Sequence, residues 1–370
     1  MSATSVRTAA ARAATVRETA TTRVLARRLA DRLAAAATPK ARLRHVSPDE
    51  PGITRRRAGS GWSYRDPAGR TVRDPDTLER IRRLVIPPAW TDVWICAHPG
   101  GHLQATGVDQ RGRRQYLYHP DFRARREAAK FEHLLEFAEA LPVLRERVRE
   151  DLARPGLGRE KVLAVVVRLL ETTMIRVGSE AYARENGSYG LASMRSRHVA
   201  VDGAALAFHF KGKSGKEWRV GVRDRRLARV VRACQDLPGQ HLFQYVDAAG
   251  ERQPISSGDV NAYLKAASGR DITAKDFRTW WGTVLAATAL ADPERGEGAG
   301  QARLAAVVRE VSRRLGNTPA VCRKGYIHPE VITAHLAGEL ALEIGEDEGD
   351  GLSPAEAAVL AWLRRRLRKS

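Results

Sequence analysis

The chain has 370 residues, with 63 Lys and Arg against 43 Asp and Glu, a formal net charge of +20. That excess exceeds what solubility requires and points to a polyanionic partner. At 43% hydrophobic residues the chain can build real cores, which excludes disorder throughout, and its length suits about two or three domains. The longest apolar runs, such as AVVV after Leu163, stop far short of the roughly 20 residues that span a bilayer, so no membrane segment or membrane partner is expected. Cys96, Cys234 and Cys322 are too scattered for a disulfide framework or a paired metal site, and a reducing, cytoplasmic setting is expected. Only ten lysines are present, so the charge is nearly all arginine, a bias that a GC-rich genome alone would also produce. Composition by itself reaches a nucleic-acid partner and stops there.

Residues 1–47 are rich in Ala, Arg and Thr and almost free of acidic and aromatic residues, so little of the segment can be buried. It reads as a mobile basic tail; the same composition also suits an Arg-rich transit peptide, and Thr22 to Ala35 can be written as a short amphipathic helix. Residues 48–119 carry turn and strand signals: GWSY, DPAGR and TVRD as a hairpin, then VWICA, HLQATGVD and RQYLYH as strands of a small β-rich domain. Residues 120–370 read as a larger α-rich domain, with apolar residues at three- and four-residue spacing in KFEHLLEFAEALPVLRERVREDL and EKVLAVVVRLLETTMIRV. Inside it, HVAVDGAALAFHFKGKSGKEWRVGV alternates on both sides of a turn at Gly212 to Gly215, so a small sheet interrupts the helices. The last helix opens at Ser353-Pro354-Ala355-Glu356, a capping box with Pro at the first helical position. An acidic, Gly-rich loop from Gly345 precedes it and is expected to lie away from any polyanion. The expected fold class is α+β, without internal repeats.

Several reaction classes fall away. Gly212-Lys213-Ser214 looks like the end of a phosphate-binding loop, but Ala207 stands where that motif needs a glycine, so no nucleotide is expected. The ten histidines and three cysteines never fall at zinc spacing, and no acidic pair sits in an obvious magnesium setting. No metal and no cofactor are expected.

What remains is a set of cations and one tyrosine. Arg176 ends an apolar helix and is followed by Gly178, Ser179 and Glu180, a turn and a new helix start; it either faces a cleft or pairs with Glu180 or Glu185. Lys211, Lys213 and Lys216 sit on and beside the tight turn of FKGKSGKEW. Such lysines are commonly just solvated; the functional alternative inserts one ammonium into a groove as a point charge and proton donor. In ITAKDFRTWWGTVLAATAL, Arg278 follows a helix cap and precedes a long apolar helix whose Trp280 and Trp281 read as core rather than as stacking platforms. Burying Arg278 there is costly without an anion, and a phosphate is one candidate. VSRRLGNTPAVCRKGYIHPEV contains a helix, a stop at Gly316-Asn317, a short turn-rich piece and then Tyr326, which taken alone reads as a half-buried core residue.

The order arginine, hairpin lysine, arginine, then LGN-x8-Y resembles the type IB DNA topoisomerases, specifically the compact viral and bacterial kind. The resemblance covers roughly Ser47 to His335 and rests on RVGSEAY, the GK hairpin, TAKDFRTW and LGNTPAVCRKGYIHP, in order and spacing. Each motif alone is weak; the ordered set is specific. GRRQYLYH, Gly112 to His119, is similar to the segment with which the family's N-terminal domain touches DNA, a domain that tyrosine recombinases lack.

The resemblance implies a small β-rich lobe and an α-rich catalytic lobe with a three-stranded sheet, closing as a monomer around double-stranded DNA. Tyr326 would be the nucleophile that forms a 3′-phosphotyrosyl link and frees a 5′-hydroxyl. Arg176 and Arg278 would clamp the nonbridging oxygens, and Lys213 would protonate the departing oxygen. The bond energy stays in the phosphotyrosine, so neither ATP nor metal is implied. Eukaryotic and poxviral members have histidine where this chain has Asn317; an amide donates a neutral hydrogen bond but supplies no proton, so Asn317 is read as a transition-state donor. Lys275 matches a DNA-contacting lysine, and Lys211 and Lys216 would touch DNA from the hairpin. Gln115, Tyr116 and Tyr118 would contact bases or backbone, with both tyrosines on one strand face; the alternative is a small sheet core. Arg113 and Arg114 would hold phosphates, which position without reading sequence. Two other functions share parts of this pattern: a tyrosine site-specific recombinase, and a non-catalytic basic architectural protein.

Overall fold

The computed structural model describes residues 43–292, 300–346 and 351–368. The helix drawn over Thr22 to Ala35, most of the tail and part of the acidic loop lie outside the described residues. The chain divides into two compact units, Met1–Ala129 and Lys130–Ser370.

The first unit is built on a five-stranded antiparallel sheet in the order β2-β1-β3-β4-β5. Its strands are β1 (Ile53–Ala58), β2 (Gly61–Arg65), β3 (Thr91–Ile95), β4 (Leu103–Val108) and β5 (Arg114–Tyr118). Ile53, Val93, Ile95 and Ala105 form its core with Ile81 from α1 (Pro75–Arg83). Two elements escaped the sequence reading. β1 contains three consecutive arginines, which hide its alternation, yet it pairs with β2 along its length. α1 is only nine residues long and buries only Ile81; its start is set by Asp74, whose carboxylate accepts from the Thr77 amide, with Pro75 next. The expected GWSY–TVRD hairpin is present in short form: Arg65 bridges to Thr71, the Asp66 and Val72 amides donate to the Arg70 and Tyr64 carbonyls at 2.9 Å, and β2 pairs along its other edge with β1. Within the stretch grouped with the tail on composition, Arg44 bridges to Gly101 and Val46 is buried against Cys96 and Leu103.

The second unit is mainly helical. α2 (Pro120–Ala153), which begins in the first unit, leads into α3 (Arg159–Thr173), whose run from Val162 to Val167 is buried without a break; such a helix is surrounded by others. α4 (Glu180–Asn186) follows. A three-stranded antiparallel sheet in the order β6-β7-β8 comes next, from β6 (Val199–Asp202), β7 (Ala205–Lys211) and β8 (Glu217–Arg223). In β7, Leu206, Phe208 and Phe210 face the core while Ala207, His209 and Lys211 face outward, the period-two pattern of a half-buried strand. After α5 (Arg225–Gln235) and the short pair β9 (Gln244–Val246) and β10 (Arg252–Pro254), the helices are α6 (Ser257–Ser268), α7 (Ala274–Ala291), α8 (Gln301–Arg314), α9 (Pro319–Gly325), α10 (Pro329–Leu336) and α11 (Pro354–Leu367).

The mixed α+β architecture matches the expected class. α9 occupies the segment read as turn-rich: Thr318 caps it and Pro319 supplies the first turn, so seven residues suffice. α11 starts with the expected Ser353–Glu356 capping box, and Glu356 does more than cap. Its carboxylate also receives Arg145 at 2.9 Å and the Trp280 indole N–H at 3.1 Å, which fastens α11 to α2 and α7. Trp280 is thus core, as expected. No described helix is long and apolar enough to cross a membrane, and the three cysteines are buried free thiols.

Candidate active site

A cleft of about 640 Å³ in the second unit is lined by Arg176, Lys213, Lys275, Arg278 and Tyr326 and by Ser, Tyr, Asn and small residues, with no carboxylate among them. α7 organises it. Arg278 lies one turn into the helix, three residues after the exposed Lys275. One turn further, a Cβ on Gly282 would stand 2.6 Å from the Tyr326 carbonyl, and the Thr283 hydroxyl accepts from the His328 amide at 3.1 Å. The helix that carries Arg278 therefore also seats the backbone of the tyrosine.

Tyr326 ends α9 and is half-buried. Its hydroxyl accepts from Arg176 Nη1 at 3.4 Å, and the Arg278 guanidinium lies 5.3 Å from its ring centre. Burial alone would push the phenol up, but Arg176 and Arg278 together outweigh it and hold its pKa below the ordinary tyrosine value. The sequence alternatives for Arg176 are resolved on one side: Glu180 pairs with Arg195 at 2.6 Å, while Arg176 turns to Tyr326 and to the Asn317 side-chain oxygen. Its backbone is fixed as well, since Arg176 and Val177 carbonyls accept from Leu191 and Ala192 amides at 2.9 and 2.7 Å. The bend between them needs glycine at both Gly178 and Gly190, whose Cα atoms face each other with no room for a methyl group.

Arg278 is 3% exposed. Its two terminal nitrogens donate to the Met174 and Leu315 carbonyls, at the end of α3 and just past α8, while Nε is buried and has no hydrogen-bond partner among the described residues. Burial, reinforced by Arg176, pulls its pKa down to about 10, the signature of a charge held with no anion beside it. Asn317 follows the same logic: its oxygen is taken by Arg176, and its buried Nδ2 has no partner among the described residues. Arg176 links the two sets: it donates both to the Tyr326 hydroxyl and to the Asn317 side chain, while Arg278 lies beside the Tyr326 ring. Lys213 sits on the exposed tip of the β7–β8 hairpin and lines the cleft. Lys211 is exposed at the end of β7, and Lys216 donates to the Asn317 carbonyl at 3.1 Å.

In the first unit the expected DNA contacts separate. Arg113 clasps Asp109 across the β4–β5 turn with nitrogens at 3.0 and 2.7 Å, and hydrogen bonding from Arg113 holds Asp109 down at about 2. Gln115 donates to the same carboxylate at 3.0 Å. Arg114 is exposed. Tyr116 and Tyr118 share a face and stack with ring centres 6.2 Å apart. Tyr116 is 47% exposed, whereas Tyr118 leans on the Val46–Cys96–Leu103 cluster.

Two residues near the cleft had no signal in the sequence. Lys130 on α2 donates to the Gly325 carbonyl and lies 5.4 Å from the Tyr326 ring centre. Asn261 on α6 lines the cleft and accepts from the Ala274 amide at 3.1 Å, which seats the start of α7. Both reach the site from elements remote in sequence, and no motif marks them.

Residues 119–338 match the family model for the eukaryotic DNA topoisomerase I catalytic core, and residues 61–109 match that for the bacterial DNA topoisomerase IB N-terminal domain. The chain is 30% identical to DNA topoisomerase 1B of Acanthamoeba polyphaga mimivirus over 285 residues, 75% of this chain and 85% of the relative. It is 21% identical over 276 residues to DNA topoisomerase I of Monkeypox virus and to DNA topoisomerase 1B of Vaccinia virus (strain Copenhagen), in each case 70% of this chain and 82% of the relative. The chain belongs to the type IB DNA topoisomerases, ATP-independent isomerases whose substrate is DNA.

Proposed function

We propose that the enzyme relaxes supercoiled duplex DNA by cutting one strand through Tyr326, letting the broken end rotate, and resealing it. The observation that supports this reading is Arg176 on the Tyr326 hydroxyl and on Asn317, with Arg278 beside the Tyr326 ring, at a cleft with no carboxylate among its described lining residues. Tyr326, its proton lost to solvent, attacks the phosphorus; a phosphorus–oxygen bond to the tyrosine forms and the bond to the 5′-oxygen breaks. Arg176, Arg278 Nε and Asn317 Nδ2 donate to the nonbridging oxygens as charge gathers there. Lys213 gives its proton to the 5′-oxygen and takes it back on religation. Lys211, Lys216 and Lys275 hold the flanking backbone, as do Arg114 and Tyr116 from the N-terminal sheet. Arg113 and Gln115 join them only by exchanging Asp109 for DNA. The enzyme acts as a monomer clamped on the duplex, within the nucleoid.

The test is plasmid relaxation in chelator without ATP, together with recovery of a denaturant-stable protein–DNA adduct. Wild type is expected to give both and Tyr326→Phe neither, with DNA binding retained. Binding without any adduct would leave only an architectural role, and recombination between paired sites would favour a recombinase. Normal relaxation by Tyr326→Phe would remove the nucleophile assignment.

A further inference from the structure

The hairpin that carries Lys213 is exposed at its tip, yet at its base it is fastened to the LGN turn by the indole of Trp218. A Cβ built on Gly212 would stand 2.6 Å from Trp218 Cδ1, and one on Gly316 would stand 2.5 Å from Trp218 Cζ2. The indole therefore lies flush against two glycines at once, one at the foot of the lysine turn and one immediately before Asn317. Its other neighbour is its strand partner Phe210, parallel to within 11° at 6.1 Å. Gly316 also has φ +61°, so its backbone and its contact with Trp218 both require glycine. Gly212 is different: its backbone is extended, φ −93° and ψ −169°, which any residue adopts, and a methyl there meets the indole first.

A second tie runs beside the first. Lys216 Nζ donates to the Asn317 carbonyl at 3.1 Å, and the Gly212 amide donates to the Lys216 carbonyl at 2.8 Å. The segment Gly212 to Lys216 is thus a closed loop held at both feet to the turn that presents Asn317. Among the described residues no hydrogen bond or ion pair holds the Lys213 side chain itself. Its reach toward the cleft is set by where the loop is anchored.

We infer that Trp218 is a positioning residue for the proton-transfer step: by wedging between Gly212 and Gly316 it sets the distance from Lys213 to the leaving oxygen, while Asn317 and Arg176 serve the nonbridging oxygens. This rests on the assignment of Lys213 as the acid. Trp218 touches no reacting atom; it acts through the loop.

The experiment compares single-turnover adduct formation on two oligonucleotide duplexes, one with the natural 5′-bridging oxygen at the cleaved bond and one with sulfur there. With sulfur the leaving thiolate is stable without a proton, so a missing or misplaced acid costs little. Lys213→Ala is expected to slow the oxygen substrate by on the order of 10²–10⁴-fold and to leave the sulfur substrate close to wild type. Trp218→Ala is expected to show the same pattern at smaller amplitude, roughly 10- to 100-fold on oxygen, with Trp218→Phe restoring most of the rate. Gly212→Ala pushes the indole without straining the backbone and is expected to slow the oxygen substrate too. The Gly212→Ala/Trp218→Ala double variant is expected to be no slower than Trp218→Ala alone, since the clash is then gone. Should Trp218→Ala fail to fold, Gly212→Ala carries the test, and its sulfur rate reports whether the protein is intact. Equal slowing on both substrates by Trp218→Ala or Gly212→Ala, or no slowing, overturns the positioning role. Equal slowing by Lys213→Ala overturns instead the assignment of the acid, whatever the Trp218 result.

Discussion

Replacing Arg278 by lysine keeps the charge and removes the fork, which makes it the sharpest perturbation of the site. Arg278 joins three parts of the catalytic unit: its two terminal nitrogens reach the Met174 and Leu315 carbonyls, and Nε is left over in the interior. A lysine ammonium at the same Cα cannot span both carbonyls and also supply a further planar N–H. At least one buried carbonyl loses its donor, a cost of about 1–3 kcal/mol. If Nε donates to the phosphate only as charge develops there, its loss removes a transition-state hydrogen bond worth roughly 10²–10³ in rate. The two effects are separable. Urea denaturation reads the first, and single-turnover adduct formation at saturating enzyme, under conditions where the variant is fully folded, reads the second. A variant that loses stability yet forms adduct within about threefold of wild type refutes the phosphate role and leaves Arg278 as a structural brace. A variant of unchanged stability refutes the bracing geometry.

Asn317→Ala frees Arg176 from its amide partner and removes the unused Nδ2 donor; adduct formation should fall by about 10²-fold, and Asn317→Asp should fall further because its carboxylate pairs with Arg176 and repels phosphate, both measurable by single-turnover kinetics. Arg176→Gln deletes one of the two cations that hold Tyr326 below its ordinary pKa, so the pH dependence of adduct formation should move to higher pH, and an unmoved profile would show that Arg176 does not act on the phenol. His328 is 2% exposed, caps α10 with its ring nitrogen, and is pushed down to about 4 by burial. The unfolded chain takes up this proton near pH 6.5 and the native chain only near 4, so stability is complete above 6.5 and about 3 kcal/mol is lost as pH falls through that window. His328→Asn, which keeps a capping oxygen, should flatten that part of a urea-denaturation pH series.

How far the site was legible depends on where each residue's partner lies in the chain. Arg176, Lys213, Arg278 and Tyr326 were recoverable because their order and spacing form a pattern, although each is ambiguous singly. What decided Arg176 was Arg195, which takes Glu180 away from it, a contact no spacing rule predicts. Arg113 shows the opposite case. Asp109 and Arg113 flank a three-residue turn, and that local i,i+4 pairing is visible in the sequence as the nearest carboxylate. Lys130 and Asn261 were beyond reach because they approach the cleft from helices far away in sequence. The same reasoning accounts for the fold. Long amphipathic or fully apolar helices and the alternating β7 announce themselves, whereas the short α1 and α9 and the arginine-rich β1 are held by caps and by pairing with neighbours, which a periodicity reading does not register.

The absence of carboxylates from the cleft has a consequence for the energetics of the reaction. Arg176 and Arg278 face Tyr326 with no acidic residue among the described lining of the site, so among the described residues their hydrogen-bond partners are carbonyl and amide oxygens and the phenol. A DNA phosphodiester brings one negative charge. After cleavage the phosphate is again a diester, now to tyrosine, with the same single charge in the same place. The cations therefore stabilise substrate and covalent intermediate to nearly the same degree and act differentially only on the transition state between them, where charge is more concentrated. Under the proposed mechanism Lys213 regains on religation the proton it gave up. A site built this way lowers the barrier in both directions without pulling the equilibrium toward the broken strand, which is what an isomerase that must always reseal its substrate requires.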